Sequence, residues 1–377
     1  TAYNIFTETG FTPAHKEMME SIYSNLFNYY LKTTAEARGK SVPTMRNLVD
    51  KAFFQGEEAL KAGLVDKLLF EDQLAELLKE NGRKLSRLTH RPSFWVKPSS
   101  LIYGQGLIHS GQSFYQTMGS STIAKWIKNA RNDKSILGIV FRVDSPGGSA
   151  VASDTIWREV VLAKKEKPFV VSMSDVAGSG GYWVSMAAHK IVAQPQTLTG
   201  SIGVLAGKFN LAGFYKKLGI TSEKLTYGQK ADFFSSFRGF TGEERKILKN
   251  EILWIYDRFL AKAAQGRKMS MDEINKLGKG RVWTGSQAQK LGLVDEIGGL
   301  TKAINLTKKL AGIPAEEEVK LIVWPRKISL WQALFGRRLI RTKSELQPQF
   351  KEIISQLRVL EKDNILAIMP FYFLGNN

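Results

Sequence analysis

The residues of this chain that could do chemistry sit in two glycine-rich turns. One is Asp144-Ser145-Pro146-Gly147-Gly148, where proline fixes one φ and the paired glycines permit positive φ. Such a turn can aim consecutive backbone N–H groups into a cleft and hold an anion or oxyanion, although an ordinary strand exit uses the same residues. The other is Ala177-Gly178-Ser179-Gly180-Gly181-Tyr182-Trp183, with a serine between glycines. At a strand-to-helix junction that pattern exposes Oγ, puts the next amide at a helix N-terminus and leaves room for a substrate backbone. The same serine would equally serve as a helix cap. Having both turns in one chain and in this order, Gly148 ahead of Ser179, is far more specific than either alone.

A serine nucleophile needs a base. Of the four histidines, His15, His90, His109 and His189, only the last lies near Ser179 in sequence, at a helix end where it reads as a surface residue. Lysine is the alternative, because burial can bring an amine toward neutrality. No histidine pair has ligand spacing and the chain has no cysteine, so neither a metal site nor a cofactor is expected. The absence of cysteine also excludes disulfides, Fe–S clusters and a thiol nucleophile.

These turns need a scaffold, and the composition supplies one. The chain has 377 residues, 43% of them hydrophobic, with 21 Phe, 11 Tyr and 8 Trp, which argues against disorder and for a sizeable core. Strands are expected at 101–109, 136–143, 169–173, 190–193 and 202–206, and helices at 121–132, 153–164, 182–188 and 241–265. The last helix opens with Thr241 and Glu244 in capping-box spacing. Continuous apolar runs alternating with amphipathic helices mean strands buried on both faces, hence a largely parallel α/β core. Each turn directly follows such a strand, where α/β folds gather their functional groups.

Sliding the chain against itself gives one informative register, the one that sets Gly10 on Gly239. In it Gly10-Phe11-Thr12 falls on Gly239-Phe240-Thr241, and Gly63-Leu64-Val65-Asp66 falls on Gly292-Leu293-Val294-Asp295, with no gap between. The chain therefore reads as part of a tandem duplication: residues 1–78 the tail of a first unit, 79–98 a basic linker, 99–312 a complete second unit, and 313–377 a basic C-terminal extension. A start at Thr1, without Met or a leader segment, reads as a processed or truncated product.

The two turns, together with Leu198-Thr199-Gly200-Ser201-Ile202-Gly203 and Val282-Trp283-Thr284-Gly285, resemble the protease IV, or signal peptide peptidase A, family of membrane-associated serine peptidases. The resemblance runs to about residue 325 and is to the long, two-unit members. It implies a Clp-protease/crotonase-like α/β core, parallel strands with flanking helices, assembled as a homo-oligomer. It implies Ser179 as nucleophile, Gly180 with Gly147 or Gly148 as oxyanion hole, and Ser201 as the serine that orients a lysine base. The lysine departs from the family pattern of Gly-x-x-Lys. Here Gly228-Gln229-Lys230-Ala231 puts lysine one place early, so Lys230 is a candidate base only. In the two-unit members the working lysine belongs to the first unit, and the register of the duplication puts its equivalent at residue 0 or Thr1. The implied substrates are cleaved signal peptides and other peptides, at the extracytoplasmic face of a bacterial cell membrane.

The charge, 54 Lys+Arg against 35 Asp+Glu, is +19. Residues 324–343 combine Arg326, Lys327, Arg337, Arg338, Arg341 and Lys343 with Leu330, Trp331, Leu334 and Phe335 at helical spacing. A basic helix of that kind suits an anionic membrane surface, or packs its stripe on the protein's own core. No nucleic-acid motif accompanies the charge, so no nucleic acid is expected. No run reaches the roughly 18–20 apolar residues of a membrane span. Two alternatives remain: a crotonase-type acyl-thioester enzyme, which shares the oxyanion turn, and a non-catalytic scaffold at a membrane surface.

Overall fold

The structure is a computed structural model and describes residues 11–51, 54, 56–69, 97–114, 116–224, 230–325 and 365–368. Its main element is an eight-stranded sheet. In chain order the strands of the molecule are β1 (Lys97–Gln105), β2 (Leu107–His109), β3 (Thr117–Gly119), β4 (Ile139–Ser145), β5 (Gly147–Ser149), β6 (Phe169–Gly178), β7 (Lys190–Ala193), β8 (Leu198–Gly200), β9 (Leu205–Ala206), β10 (Val282–Thr284), β11 (Glu296–Ile297), β12 (Val319–Trp324) and β13 (Ile365–Ile368). The main sheet runs β10-β8-β6-β4-β1-β12, with β7 on β6 and β11 on β7. Every pairing in it is parallel except β10 on β8. The expected α/β core of parallel strands with flanking helices is thus present.

Neighbouring residues on these strands feed opposite faces. Phe141 and Val171 join one core cluster, while Val140 and Val170 join another with Leu101, Val192 and Ala303. The first face is covered by the helices Ser120–Asn132, Ala150–Glu166 and Gly242–Arg267, the second by Leu300–Leu310. Burial on both faces is why the strand sequences read as unbroken apolar runs.

The boundaries differ from expectation where single residues redirect the backbone. The strand expected at 101–109 is two strands, because Gly106 turns with φ +83 and a Cβ there would lie 1.9 Å from the Gln116 carbonyl. The helix expected from 153 starts at Ala150, since the Ser149 side chain accepts the Ala152 N–H and caps it earlier. The strand expected at 202–206 shrinks to β9, which pairs with β13, while β8 just before it pairs with β6. The capping box at Thr241 and Glu244 forms as expected.

Residues 319–324 of the expected C-terminal extension belong to the main sheet. β12 pairs in parallel with β1 along its whole length, so Val319–Trp324 is the edge strand of the main sheet. Trp324 therefore lies in a strand, and the rest of the expected basic helix, 326–343, lies outside the described residues, as does most of the expected linker. No helix among the described residues is long and apolar enough to cross a membrane.

The chain divides into two compact units, one of Thr1–Met18 with Val96–Asn377 and one of Met19–Trp95. In the smaller unit Leu31, Ala35 and Met45 form a core with Phe27, Leu48 and Leu64 around them. Ser41 caps the helix Val42–Asp50. The register that sets Gly10 on Gly239 also sets the first residues of the helices Pro13–Ala37, Val42–Asp50 and Gly56–Lys61 on those of Gly242–Arg267, Met271–Leu277 and Gly285–Lys290.

Candidate active site

β6 is twice the length expected for it, and its extra half reaches the site. Residues 170–172 pair with β7, whereas 176–178 pair with β8. The strand ends at Gly178 and is followed by Ser179, whose N–H donates to the Gly200 carbonyl at 2.8 Å and whose carbonyl accepts the Trp183 N–H at 2.8 Å. Between those two bonds the serine backbone is forced to φ 51, ψ −112, and the residue is fully buried. Such a conformation costs roughly 1–3 kcal/mol in a residue with a Cβ, and a strained strand-to-helix turn is one on which a nucleophile can be presented. The side chain does not cap the helix Gly180–Ser185 that follows. Its Oγ instead donates to the Gly203 carbonyl at 3.3 Å. The helix-cap alternative therefore lacks its defining bond.

Two side chains tie the helix to its surroundings: Tyr182 OH donates to the Leu293 carbonyl at 3.0 Å and Trp183 Nε1 to Asp154 at 3.2 Å, while Ser185 Oγ donates within the helix to the Gly181 carbonyl at 2.6 Å. Lys262 pairs with the same Asp154 carboxylate and lies 3.7 Å over the Trp157 ring. Gly181 is required by closeness, since a Cβ there would lie 2.6 Å from the Ser145 carbonyl.

That contact joins the two glycine turns. The β4–β6 ladder carries a bulge between Val143 and Ser145 and sets Ser145 opposite Ala177, just ahead of the serine. Ser145, fully buried, donates Oγ to the Gly106 carbonyl at 2.6 Å and accepts the Gly147 N–H at 3.1 Å. Gly147 and Gly148 both take positive φ, 106 and 149, and a Cβ on Gly148 would lie 2.0 Å from the Ile108 carbonyl. Asp144 accepts the Val176 N–H at 3.2 Å, and its burial pushes the carboxyl above the usual carboxylate range. The motif reading names the glycines and passes over Ser145, although a serine at a strand exit is visible in the sequence as a turn former.

Ser201 is buried and repeats the strain of Ser179, with φ 49 and its N–H bonded to the Arg281 carbonyl at 2.8 Å. The structure thus brings together Ser179, Ser201 through Gly200, and the turn at Gly147 and Gly148. Lys230 is elsewhere in its bonding: its Nζ pairs with Glu243 at 2.7 Å on the surface. His189 is exposed, as expected, and its Nδ1 faces the Phe169 N–H at 3.1 Å. A lysine not singled out from sequence, Lys208, lies just past β9. It donates to the Phe233 carbonyl at 2.6 Å, sits 4.5 Å over the Phe240 ring, and is pushed below the usual lysine range by desolvation, then by Arg238. Arg238 itself bridges Asp232 and Glu244, with Arg238–carboxylate contacts of 2.6 Å to each, and holds the Glu244 carboxyl down to about 2.

The site is a strained, buried serine at a strand-to-helix turn of a parallel α/β core, and comparison with known proteins narrows the class. The model of Peptidase family S49 matches residues 2–86 and 162–314, and the chain belongs to that family. Curated relatives agree. The chain is 35% identical over 327 residues to the chloroplastic serine protease SPPA of Arabidopsis thaliana, covering 81% of this chain and 48% of that protein. It is 37% identical over 229 residues to protease 4 of Haemophilus influenzae, covering 60% of this chain and 37% of that protein. A putative signal peptide peptidase SppA of Enterococcus faecium is 36% identical over 184 residues, 48% of this chain and 54% of that protein. The chain spans about half the length, or less, of these relatives.

Proposed function

We propose that the chain carries the nucleophile half of a serine endopeptidase with a Ser/Lys dyad. The observation that carries this reading is Ser179: a buried serine held at φ 51, ψ −112 without capping its helix. In the reaction Ser179 Oγ bonds to the scissile carbonyl carbon while its proton passes to a lysine amine. The carbonyl oxygen, now an anion, receives N–H groups of Gly180 and of Gly147 or Gly148. Collapse breaks the C–N bond, the proton goes to the leaving nitrogen, and water then hydrolyses the acyl-serine.

The base in this reading is a lysine of the first unit, with Ser201 orienting it. Two observations support that. Lys230 is engaged by Glu243. The helix starts that fall in one register support a tandem duplication, and the SPPA relative is about twice as long as this chain's share of it. The substrates are cleaved signal peptides and other peptides, met by a homo-oligomer at an anionic membrane surface on the extracytoplasmic side of a bacterial cell. The test is labelling of the full-length, two-unit protein by a fluorophosphonate and mapping of the adduct by mass spectrometry. The adduct belongs on Ser179, and labelling that survives Ser179→Ala overturns the assignment.

A further inference from the structure

A cleft of about 420 Å³ lies at the β12 edge of the main sheet, beside the helix Ser120–Asn132. That helix buries Ile123, Ile127 and Ala130 and lines the cleft with Thr122, Lys125, Trp126 and Asn129, spaced i, i+3, i+4 and i+7. The strand contributes Trp324, which the β12–β1 ladder sets opposite Ile102. The two indoles lie 6.4 Å apart between ring centroids and are inclined by 34°. Gln112 completes the lining from a loop tied to the helix: the Ser113 N–H donates to Thr122 Oγ1 at 2.8 Å, and the Gly111 carbonyl accepts the Ser121 N–H at 2.8 Å. The walls are therefore preformed. The strands β1 and β4 separate this edge of the sheet from β6, which leads into Ser179.

The size suits a small molecule, and the lining says which kind. It has two indoles, the carboxamides of Gln112 and Asn129, the amine of Lys125 and no carboxylate. The helix that carries Lys125 also holds Lys128 and Arg131 and has no acidic residue at all. Indole faces take a planar ring, an amine takes an anion, and carboxamides exchange hydrogen bonds with a peptide unit. A ring, a carboxylate and an amide on one residue describe the carboxyl-terminal end of a peptide that finishes in Phe, Tyr or Trp.

We propose that this cleft binds peptide ends bearing an aromatic side chain and a free α-carboxylate. The ring lies against Trp126 and Trp324, the carboxylate on Lys125, and the amide on Gln112 and Asn129. Hydrolysis of a peptide bond creates just such a carboxylate, so the cleft holds products at a distance from Ser179. That last link rests on the peptidase reading above; the binding itself rests on the lining of the cleft.

The probe is N-acetyl-phenylalanine, titrated into the full chain and read by saturation-transfer NMR. A Kd of about 1 mM is expected, with the uncharged N-acetyl-phenylalaninamide bound about tenfold more weakly. Lys125→Ala should remove the preference for the acid, Lys125→Arg should restore it, and Trp126→Ala should weaken both ligands about tenfold. Lys125 is exposed, so its variants test the site even if Trp126→Ala loosens the core. No transfer at roughly ten times the expected Kd, equal binding of acid and amide, or binding untouched by Lys125→Ala overturns the proposal. The peptidase reading fails separately. Fluorophosphonate labelling that survives Ser179→Ala sinks that reading and leaves the cleft standing, whereas labelling of Ser179 without Lys125-dependent binding sinks the cleft alone.

Discussion

Ser179→Ala separates a nucleophile from a structural serine, and its cost can be worked out from the contacts. The side chain makes one hydrogen bond, to the Gly203 carbonyl at 3.3 Å, long for a hydroxyl donor. A neutral hydrogen bond contributes about 0.5–1.5 kcal/mol, and one this long falls at the bottom of that range. The helix loses no cap, because none is made. Alanine keeps the Cβ and hence the same backbone strain, so the net change is about 0–1 kcal/mol, or roughly 0–4 °C in melting temperature. Ser179→Gly should be about 1 kcal/mol more stable than Ser179→Ala, since glycine at φ 51 relieves the strain. Turnover of a fluorogenic peptide by the two-unit protein should fall roughly 10⁶-fold in either variant. A cap residue would behave oppositely, costing about 0.5–2 kcal/mol and sparing turnover. Retained hydrolysis by Ser179→Ala, or a glycine variant less stable than the alanine one, would refute the reasoning.

Lys230→Ala breaks only a surface pair with Glu243, so turnover of the two-unit protein should stay within about twofold and stability within about 0.5 kcal/mol; loss of turnover with an intact melting curve would make Lys230 the base. Ser145→Ala strands the Gly106 carbonyl and the Gly147 N–H in the interior, at about 2–4 kcal/mol, and should lower kcat more than it raises KM as the glycine turn loosens. Gly181→Ala drives a Cβ toward the Ser145 carbonyl and should cost about 1–3 kcal/mol in a denaturant titration together with turnover. Asp144→Asn keeps an acceptor for the Val176 N–H and removes a desolvated charge. A carboxyl raised by folding costs stability as pH climbs through and above the ordinary carboxylate range, so the variant should melt higher than the parent at neutral pH. The gap should close below the ordinary carboxylate range, and a gap independent of pH would contradict the burial argument.

The fold is legible where local and global signals agree. The runs around Val140 and Val170 are apolar because successive residues enter two different cores, and a strand buried on both faces leaves no other pattern. Thr241 and Glu244 mark a helix start because the reciprocal bonds are local. What cannot be read are consequences of distant contacts. Gly106 breaks a strand because Gln116 crowds it, and β12 joins β1 across the whole second unit. β13 is a short apolar segment whose ladder partners lie far back in the chain, at 147–149 and 205–206. No periodicity within so short a strand carries that information.

The site shows the same division, and it explains why the glycines are easier to find than the strain they permit. Gly147, Gly148 and Gly181 are written in the sequence because any other residue would collide with backbone or take a forbidden φ. Ser179 and Ser201 carry positive φ without being glycine, and nothing in a sequence marks a serine as strained. Their strain is imposed by the sheet: β8 holds Ser179 through the Gly200 carbonyl, and the Arg281 carbonyl holds Ser201 from the approach to β10. Gly200 ends β8 and Arg281 directly precedes β10, which pairs with β8, so the two serines are fixed by one piece of scaffold rather than separately. A nucleophile needs its Oγ placed to within a fraction of an ångström, and a helix this short cannot provide that by itself. The sheet can, because moving either serine would require breaking the ladders that join β6, β8 and β10.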